Sequence, residues 1–470
     1  MTKLDNMNNL ENKPGFSDYN SRKISYLSLG CKVNLYESVA IINKFLGNGF
    51  TLVDFGVEAD VTIINTCTVT QMSDQKSRKM IRQAIKASPN GIICVMGCYS
   101  QLNPEEASNI PGVSIVVGAS NRHLLYDLAI EKLNNKYNNI DNISDFTVIN
   151  KCQPYDEIIS YEDLSVDHYD NKTRGFVKIQ DGCENFCSYC TIPYSRGKFR
   201  SRNKESVIEE IKNLSNHNMK EIVLTGINTG AYGKDLNNYS FPSLLKDIIK
   251  EVPNLGKLRI SSIEITEVTD ELINTIKDNK EHFCNHLHIP LQGGSDYILE
   301  KMNRKYNTSY YLDRINYVRS LLTDINITAD VLVGFNGETN ELFEAAYDFI
   351  DKVSFGETHI FPYSPRVRTK AYIESQKLKF KDRIDGITLK SRVNKLIDLN
   401  KKNALKYRQQ FLGKQLTVLV EKVKDGICFG HTSNYLEVKF LSNDNFENDL
   451  VDVIITDVGY PVSLANKFNK

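Results

Sequence analysis

The stretch GCENFCSYC, residues 182–190, sets Cys183, Cys187 and Cys190 in a C-x3-C-x2-C loop directly after an apolar run, 176–180, that reads as a strand. Three thiolates on one short loop can take three corners of a [4Fe–4S] cube and leave one iron open to an outside ligand. A structural zinc site asks for four protein ligands, and this loop carries no fourth Cys or His. A thioredoxin-like C-x2-C would leave the third thiol unexplained. Further strand candidates follow at 221–226, 258–263, 286–292, 328–335 and 358–363, with helical segments around 206–216, 243–252, 270–277, 310–322 and 341–353 between them. Six βα repeats predict a partial (β/α)6 barrel with its functional groups at the strand carboxyl ends, by analogy with the complete eightfold barrel.

Upstream, apolar runs at 24–29, 61–65 and 92–96 each end at a cysteine, in SLGC (Cys31), INTC (Cys67) and VMGC (Cys98), with helical segments 36–46 and 71–87 between them. That β-α-β-α-β order predicts an N-terminal open parallel α/β sheet whose crevice lies beyond its strand ends. Alone, each cysteine would read as a small buried hydrophobe. Three strand-end thiols on neighbouring parallel strands point instead to a shared metal site. Residues 131–170 are Asn-rich, with nine acidic residues against three Lys, and read as a linker. After the barrel, residues 377–408 carry eleven Lys/Arg against three Asp and lead into QLTVLVEKV, GICFG, YLEVKF and VDVIITDV. Such short alternating runs predict a C-terminal small OB-like β-barrel. The expected divisions are a disordered lead (1–22), a sheet domain (23–135), a linker (136–168), the α/β barrel domain (169–400) and the terminal β-barrel (401–470).

No apolar run of about 18 residues occurs and the N-terminal segment lacks a leader-like apolar core, so a cytoplasmic location without a membrane partner is expected. In that compartment ten cysteines are not expected to form a disulfide framework. The 58 Lys+Arg against 58 Asp+Glu leave a net charge of zero, so any polyanion has to be held by local patches. Candidates are RGKFRSRNK, 196–204, and the basic stretch at 377–408. In CNHLHIPLQ, the side chains of Cys284, His286, His288 and Gln292 share one strand face. They read as satisfied polar groups lining the barrel, since flanking metal ligands are missing from this segment. Cys94, Cys152 and Cys428 read as structural thiols.

With Tyr189 just before the last loop cysteine, the C-x3-C-x2-C motif and six-strand barrel resemble the radical S-adenosylmethionine (SAM) superfamily. The resemblance implies that SAM chelates the open iron, that Tyr189 lies beside its adenine, and that reductive cleavage gives a 5′-deoxyadenosyl radical. Such a radical attacks a C–H bond that no side-chain base could deprotonate. LGCKVNLYES, INTCTVT and GCYSQ resemble the N-terminal domain of the methylthiotransferases, and the terminal barrel resembles a TRAM domain, so the likeness spans 24–467. Within that family, KIQDGCENFCSYCTIPYSRGKFRSR, EIVLTGINTGAYG, HLHIPLQGGSD and HIFPYSPRVRTKA are most similar to enzymes modifying N6-threonylcarbamoyladenosine next to the tRNA anticodon. The isopentenyladenosine branch typically has Gln-Met where Lys32 and Val33 stand here.

The resemblance further implies two [4Fe–4S] clusters, one on Cys31, Cys67 and Cys98 and one on Cys183, Cys187 and Cys190, and two SAM molecules. The first cluster would hold or supply sulfur, and the second would serve radical activation of adenine C2 for methylthio transfer. No side chain is assigned a catalytic acid or base role. SAM contacts are expected from Tyr189, Thr225, Gly226, Gln292, Val333 and Gly334, and phosphate contacts from Arg196, Arg200 and Arg202. Two departures from the family pattern are Asn336, where Pro is usual, and Gly293, where Ser is common. Implied partners are the anticodon stem-loop of tRNA and an electron donor such as flavodoxin or ferredoxin, the protein itself being a monomer. The alternatives are methylthiolation of isopentenyladenosine tRNA or of a ribosomal protein and, from another class, a non-catalytic Fe–S RNA-binding sensor.

Overall fold

The computed structural model describes residues 22–137, 147–169, 173–377 and 384–468. The lead expected at 1–22 lies outside them except for Arg22. The chain forms two compact units, the first holding residues up to Cys67 and Met72–Gln153, the second Thr68–Gln71 and everything from Pro154 onward.

In the first unit, strands β1 (Lys23–Ser28), β2 (Thr51–Leu52), β3 (Val61–Thr66), β4 (Ile92–Gly97), β5 (Ile115–Val116) and β6 (Ile149–Asn150) make one parallel sheet in the order β2-β1-β3-β4-β5-β6. Every residue of β3 (VTIINT) and β4 (IICVMG) is buried, the near-continuous apolar pattern of central parallel strands. The three strands predicted from sequence are β1, β3 and β4. β6 falls inside the stretch expected as linker, where Ile149 N–H donates to Ser114 O at 3.0 Å.

The second unit begins with β7 (Arg174–Lys178) and a short antiparallel pair, β8 (Gln180–Asp181) with β9 (Arg200–Ser201). β10 (Glu221–Thr225) and β11 (Lys257–Ile260) pair onto β7 in parallel, and β12 (His286–His288), β13 (Asn326–Val333) and β14 (Glu357–Pro362) form a second parallel set. The sets are joined where Cys284 N–H donates to Leu258 O at 2.8 Å and Ile263 N–H to His288 O at 3.0 Å, giving the six-strand arc expected. The helices between strands start at side-chain caps: Asn203, Ser240, Thr269, Asn307 and Thr339 each accept from a first-turn N–H. Each cap is worth about 1 kcal/mol against Ala. A further helix, Gly386–Gln409, begins at the Asp385 cap and runs unbroken past residue 400, the expected domain boundary.

Five strands, β15 (Gln415–Lys424), β16 (Ile427–Thr432), β17 (Glu437–Leu441), β18 (Leu450–Asp457) and β19 (Val462–Lys467), close a small barrel in the order β15-β16-β17-β19-β18. Its fifth strand carries no recognisable signal in the sequence. The small barrel seats itself at the amino ends of the large barrel's strands through a buried polar network. Glu221 accepts from Arg259 Nε at 2.6 Å and Nη2 at 2.9 Å, and from Arg174 Nε at 2.6 Å. Arg174 also pairs with Glu421, and Arg259 donates to Ser433 O at 3.2 Å. The Tyr435 ring lies 4.7 Å from the Arg259 guanidinium and is stacked between His286 and His431, with centroids at 5.0 and 4.8 Å.

Burial by itself would raise the Glu221 carboxyl, but the hydrogen bonds and charge of Arg259, then of Arg174, outweigh it and hold the group down to about 2. A depressed carboxylate contributes stability above its unfolded value near 4.5, and that contribution fades as pH falls toward 2. Glu221→Ala takes the carboxylate partner from the buried Arg259 guanidinium and leaves Arg174 with Glu421 alone, and is expected to cost about 3–5 kcal/mol in urea unfolding at neutral pH. The deficit relative to the parent should shrink as pH falls from 4.5 toward 2; an equal deficit across that range would contradict the assignment.

Candidate functional site

Cys31 sits immediately before the helix Lys32–Leu46, Cys67 immediately after β3, and Cys98 opens a short helix after β4. Cys67 and Cys98 are buried and Cys31 is exposed. Their spacing is set by buried polar side chains. Asn34 donates to Leu29 O at 2.8 Å and to Thr66 O at 3.0 Å, tying the Cys31 turn to the residue before Cys67. Asn65 donates to Asn34 O at 2.8 Å, and Thr66 Oγ1 to Met96 O at 2.7 Å, which brings in the strand that ends at Cys98. Ser77 Oγ donates to Cys67 O at 3.0 Å. Gly30 has φ +96°, and a Cβ there would lie 2.9 Å from Cys67 Sγ. The LGC turn therefore needs glycine for conformation and for room.

The second triad is held in the same manner. Gly182 has φ +75°, and a Cβ there would collide with Lys198 O at 1.7 Å. Gln180 donates to the carbonyls of Asp181 and Gly182, both at 2.7 Å, while its own carbonyl accepts from Asn228 N–H at 2.9 Å. Further along the loop, Cys183 N–H donates to Gly197 O at 3.0 Å, Ser188 N–H to Met302 O at 3.0 Å and Ser188 Oγ to Lys301 O at 2.7 Å. Burial pushes the Cys183 thiol up to about 12 and raises Cys190 as well. A metal therefore has to displace a firmly held proton at each.

Arg304, which sequence reasoning missed, reaches the loop from the far side. Its Nη1 lies 3.2 Å from Cys187 Sγ, its Nε donates to Tyr306 OH at 3.1 Å, and its Nη2 pairs with the partly buried Glu264. A fixed cation there can offset the negative charge that a metal-bound thiolate carries. The structure thus fits an iron–sulfur group on either triad: three thiols, converging loops and, at the second, a charge partner. The one set of three His, Cys, Asp or Glu donors drawn within 4.8 Å among the described residues is elsewhere, at His288, Asp330 and His359.

The residues expected to meet SAM lie beyond the strand carboxyl ends. The Tyr189 ring contacts Phe335 with centroids 6.3 Å apart and packs against a group containing Ile298, Met302 and Ala371. Thr225 ends β10, and a Cβ on Gly226 would meet Gln180 Oε1 at 3.0 Å. Gln292, at φ +64°, bridges to β13 by Leu332 N–H donating to its carbonyl at 2.8 Å. Val333 ends β13, and Gly334 N–H donates to Glu338 Oε1 at 3.1 Å. Asn336 donates to Ala371 O at 2.7 Å, while Ala371 N–H donates to Ser188 O at 2.8 Å. The amide standing in the usual Pro position thus steadies the segment that touches the cluster loop.

One expectation is corrected. Arg196, Arg200 and Arg202 are buried, and their charges are spent inside the protein. Arg196 pairs with Asp181 at 3.2 Å, Arg200 donates to Arg196 O at 2.7 Å and Lys198 O at 2.8 Å, and Arg202 pairs with Glu210 and, at 2.7 Å, with Asp163. They pin the loop and the 154–169 segment to the barrel and are not placed to meet a phosphate. That segment, expected as linker, also donates from Tyr161 OH to Lys178 O at 2.8 Å and from Tyr169 OH to Phe176 O at 2.6 Å. Cys284 Sγ donates to Glu221 Oε2 at 3.5 Å, and His286 Nε2 lies 2.9 Å from Thr328 Oγ1.

Comparison with known proteins agrees with this geometry. Residues 177–350 match the Radical SAM superfamily and residues 23–118 match Uncharacterized protein family UPF0004. A Bacillus subtilis relative, "Threonylcarbamoyladenosine tRNA methylthiotransferase MtaB", is 40% identical over 93% of this chain and 94% of its own. A Hydrogenobaculum relative, "tRNA-2-methylthio-N(6)-dimethylallyladenosine synthase", is 33% identical over 92% and 96%. Among solved structures, the radical SAM methyltransferase TsrM from Kitasatospora setae shares the fold, with TM-score 0.55 at 16% identity over 75% of this chain and 77% of that one. The chain is a radical SAM enzyme, a class with SAM and [4Fe–4S] clusters as its cofactors. The chain belongs to the methylthiotransferase family of that class, on its MtaB side.

Two open-cornered clusters amount to about eight iron atoms per chain. Cys187→Ala and, separately, Gly30→Ala are each expected to leave about four, the first by removing a ligand and the second by driving a methyl group into Cys67. Iron and sulfide analysis after anaerobic reconstitution would read this; full iron in Gly30→Ala would show that the first triad does not need its glycine turn.

Proposed function

We propose that this protein methylthiolates C2 of the adenine in N6-threonylcarbamoyladenosine at position 37 of tRNA, giving the 2-methylthio derivative. The observation that carries the reading is the pair of three-thiol sites, each lacking a fourth protein ligand in its loops. A storage or structural cluster gains nothing from an open iron, whereas an exogenous ligand requires one. The bound group supplies homolytic chemistry, which an adenine C–H bond without an acidic proton demands. The chain's own part is to hold each triad, to set Arg304 against Cys187, and to offer Tyr189, Thr225, Gly226, Gln292, Val333 and Gly334 as SAM contacts at the strand carboxyl ends. Lys32 and Val33, with the higher identity to the threonylcarbamoyladenosine relative, favour that base over dimethylallyladenosine.

Phosphate contacts are assigned to the helix Gly386–Gln409. Arg392 and Arg408 are buried against Glu338 and Glu357, and Lys395 and Lys402 pair with Glu344 and Asp351. Lys390, Lys401 and Lys406 are exposed on the same helix. Replacing these three by Ala should weaken tRNA binding and lower the slope of log K against log salt by about 0.7–0.9 for each phosphate that is no longer neutralised. An unchanged slope would remove the helix from the interface.

Nucleoside mass spectrometry of tRNA from a deletion strain tests the substrate: 2-methylthio-N6-threonylcarbamoyladenosine should vanish while N6-threonylcarbamoyladenosine accumulates. Its persistence, with loss of the isopentenyl counterpart instead, would move the protein to the other branch. Reconstituted protein given SAM and dithionite should form 5′-deoxyadenosine, and Cys187→Ala should not. Failure of the parent protein to do so would leave the non-catalytic sensor.

A further inference from the structure

Three neighbouring parallel strands of the large barrel each bring one metal-binding side chain to the same place. Asp330 of β13 and His359 of β14 are direct register partners, and His288 of β12 pairs with Thr328, two residues before Asp330 on the same side of its strand. His288 Nε2 lies 3.3 Å from Asp330 Oδ2, the His288 and His359 rings are 5.8 Å apart, and one donor atom from each residue falls within 4.8 Å of the other two. An ion about 2.1 Å from each of three donors needs them about 3.4 Å apart, so modest side-chain movement closes the set. The sequence segment around His288 lacked flanking ligands; the adjoining strands provide them.

Thr328 prepares the first imidazole. A metal on His288 Nε2 requires the ring proton on Nδ1, and Thr328 Oγ1 lies 2.9 Å from Nδ1 to accept it. The threonine's own proton is then available to His286 Nε2, also 2.9 Å away. Fixing the non-ligating nitrogen in this way is what a metal-binding histidine ordinarily requires of its surroundings. His359 is exposed on β14 and the Asp330 side chain is about a third exposed, so an ion can reach the set from solvent.

We propose that His288, Asp330 and His359 form a third metal site, for a single divalent transition ion of the zinc or iron(II) class. Two imidazoles and a carboxylate suit such an ion and exclude an iron–sulfur cube, whose corners want thiolates. Three protein ligands leave at least one position for water or a substrate oxygen. The proposal is independent of which base the enzyme modifies.

Equilibrium dialysis of the cluster-loaded protein against Zn2+, with bound zinc and iron read by inductively coupled plasma mass spectrometry, tests it. One zinc per chain beyond the cluster iron is expected. His359→Ala, on an exposed strand position, should weaken that binding by more than about 100-fold, and Thr328→Val by about 10–100-fold, with cluster iron unchanged in both. No zinc bound by the parent at micromolar concentration would overturn the site, as would zinc retained with parental affinity in both His359→Ala and Asp330→Asn, since it would then lie elsewhere.

Discussion

A thiol triad that must keep one corner open cannot be held in shape by a fourth ligand, and the protein has to position it without adding any competing donor. Both triads meet that constraint with a buried primary amide. Asn34 donates to two carbonyls beside Cys31 and Cys67, and Gln180 to two carbonyls at the entrance to the Cys183 loop. An amide offers hydrogen bonds in both directions while remaining neutral, so it braces the loop without altering the charge of the metal group. Each amide works beside a glycine whose positive φ turns the chain sharply just before the first cysteine. The strands, in turn, aim these turns: the first site stands where parallel strands end, and the second just beyond the parallel strand β7 and the short β8–β9 pair.

Much of this was legible in the sequence because parallel strands buried on both faces announce themselves as unbroken apolar runs. The three cysteine-terminated strands and six barrel strands were found within two or three residues at their starts, and the helices between them begin near recognisable Asn, Ser and Thr caps. Strands β2, β5 and β6 were not found, since two residues cannot display a period. The amides were visible as letters in KVN and IQDG, but their role depends on which carbonyls the fold brings near. Arg304 left no local signal, because its partners Cys187 and Glu264 are distant in sequence.

Charge misled most. RGKFRSRNK reads as a basic patch beside the active loop, yet its arginines are neutralised by Asp181, Asp163 and Glu210. One of those acids, Asp163, belongs to the Asn-rich acidic stretch that looked like a connector. The two misreadings are one event seen from both sides: a run of bases and a run of acids, joined by a pair 39 residues apart, each look solvated until they are allowed to meet. Local composition reports which charges a segment carries and is silent about where they are cancelled.

The polar network around Glu221 has a consequence for how the parts of the enzyme are counted. Tyr435, Glu421 and Ser433 come from the small barrel, yet they complete the floor of the large one, where Arg174 and Arg259 would otherwise face an opening. A module appended for RNA recognition could be removed or exchanged and leave its neighbour intact. Removing this one would cost Arg174 its second carboxylate, Arg259 its backbone carbonyl and ring contacts, and the His286 ring its stacking partner Tyr435. The terminal barrel is therefore part of the large barrel's packing as well as a separate closed sheet, and a change at Tyr435 or Glu421 reaches the strands of its neighbour.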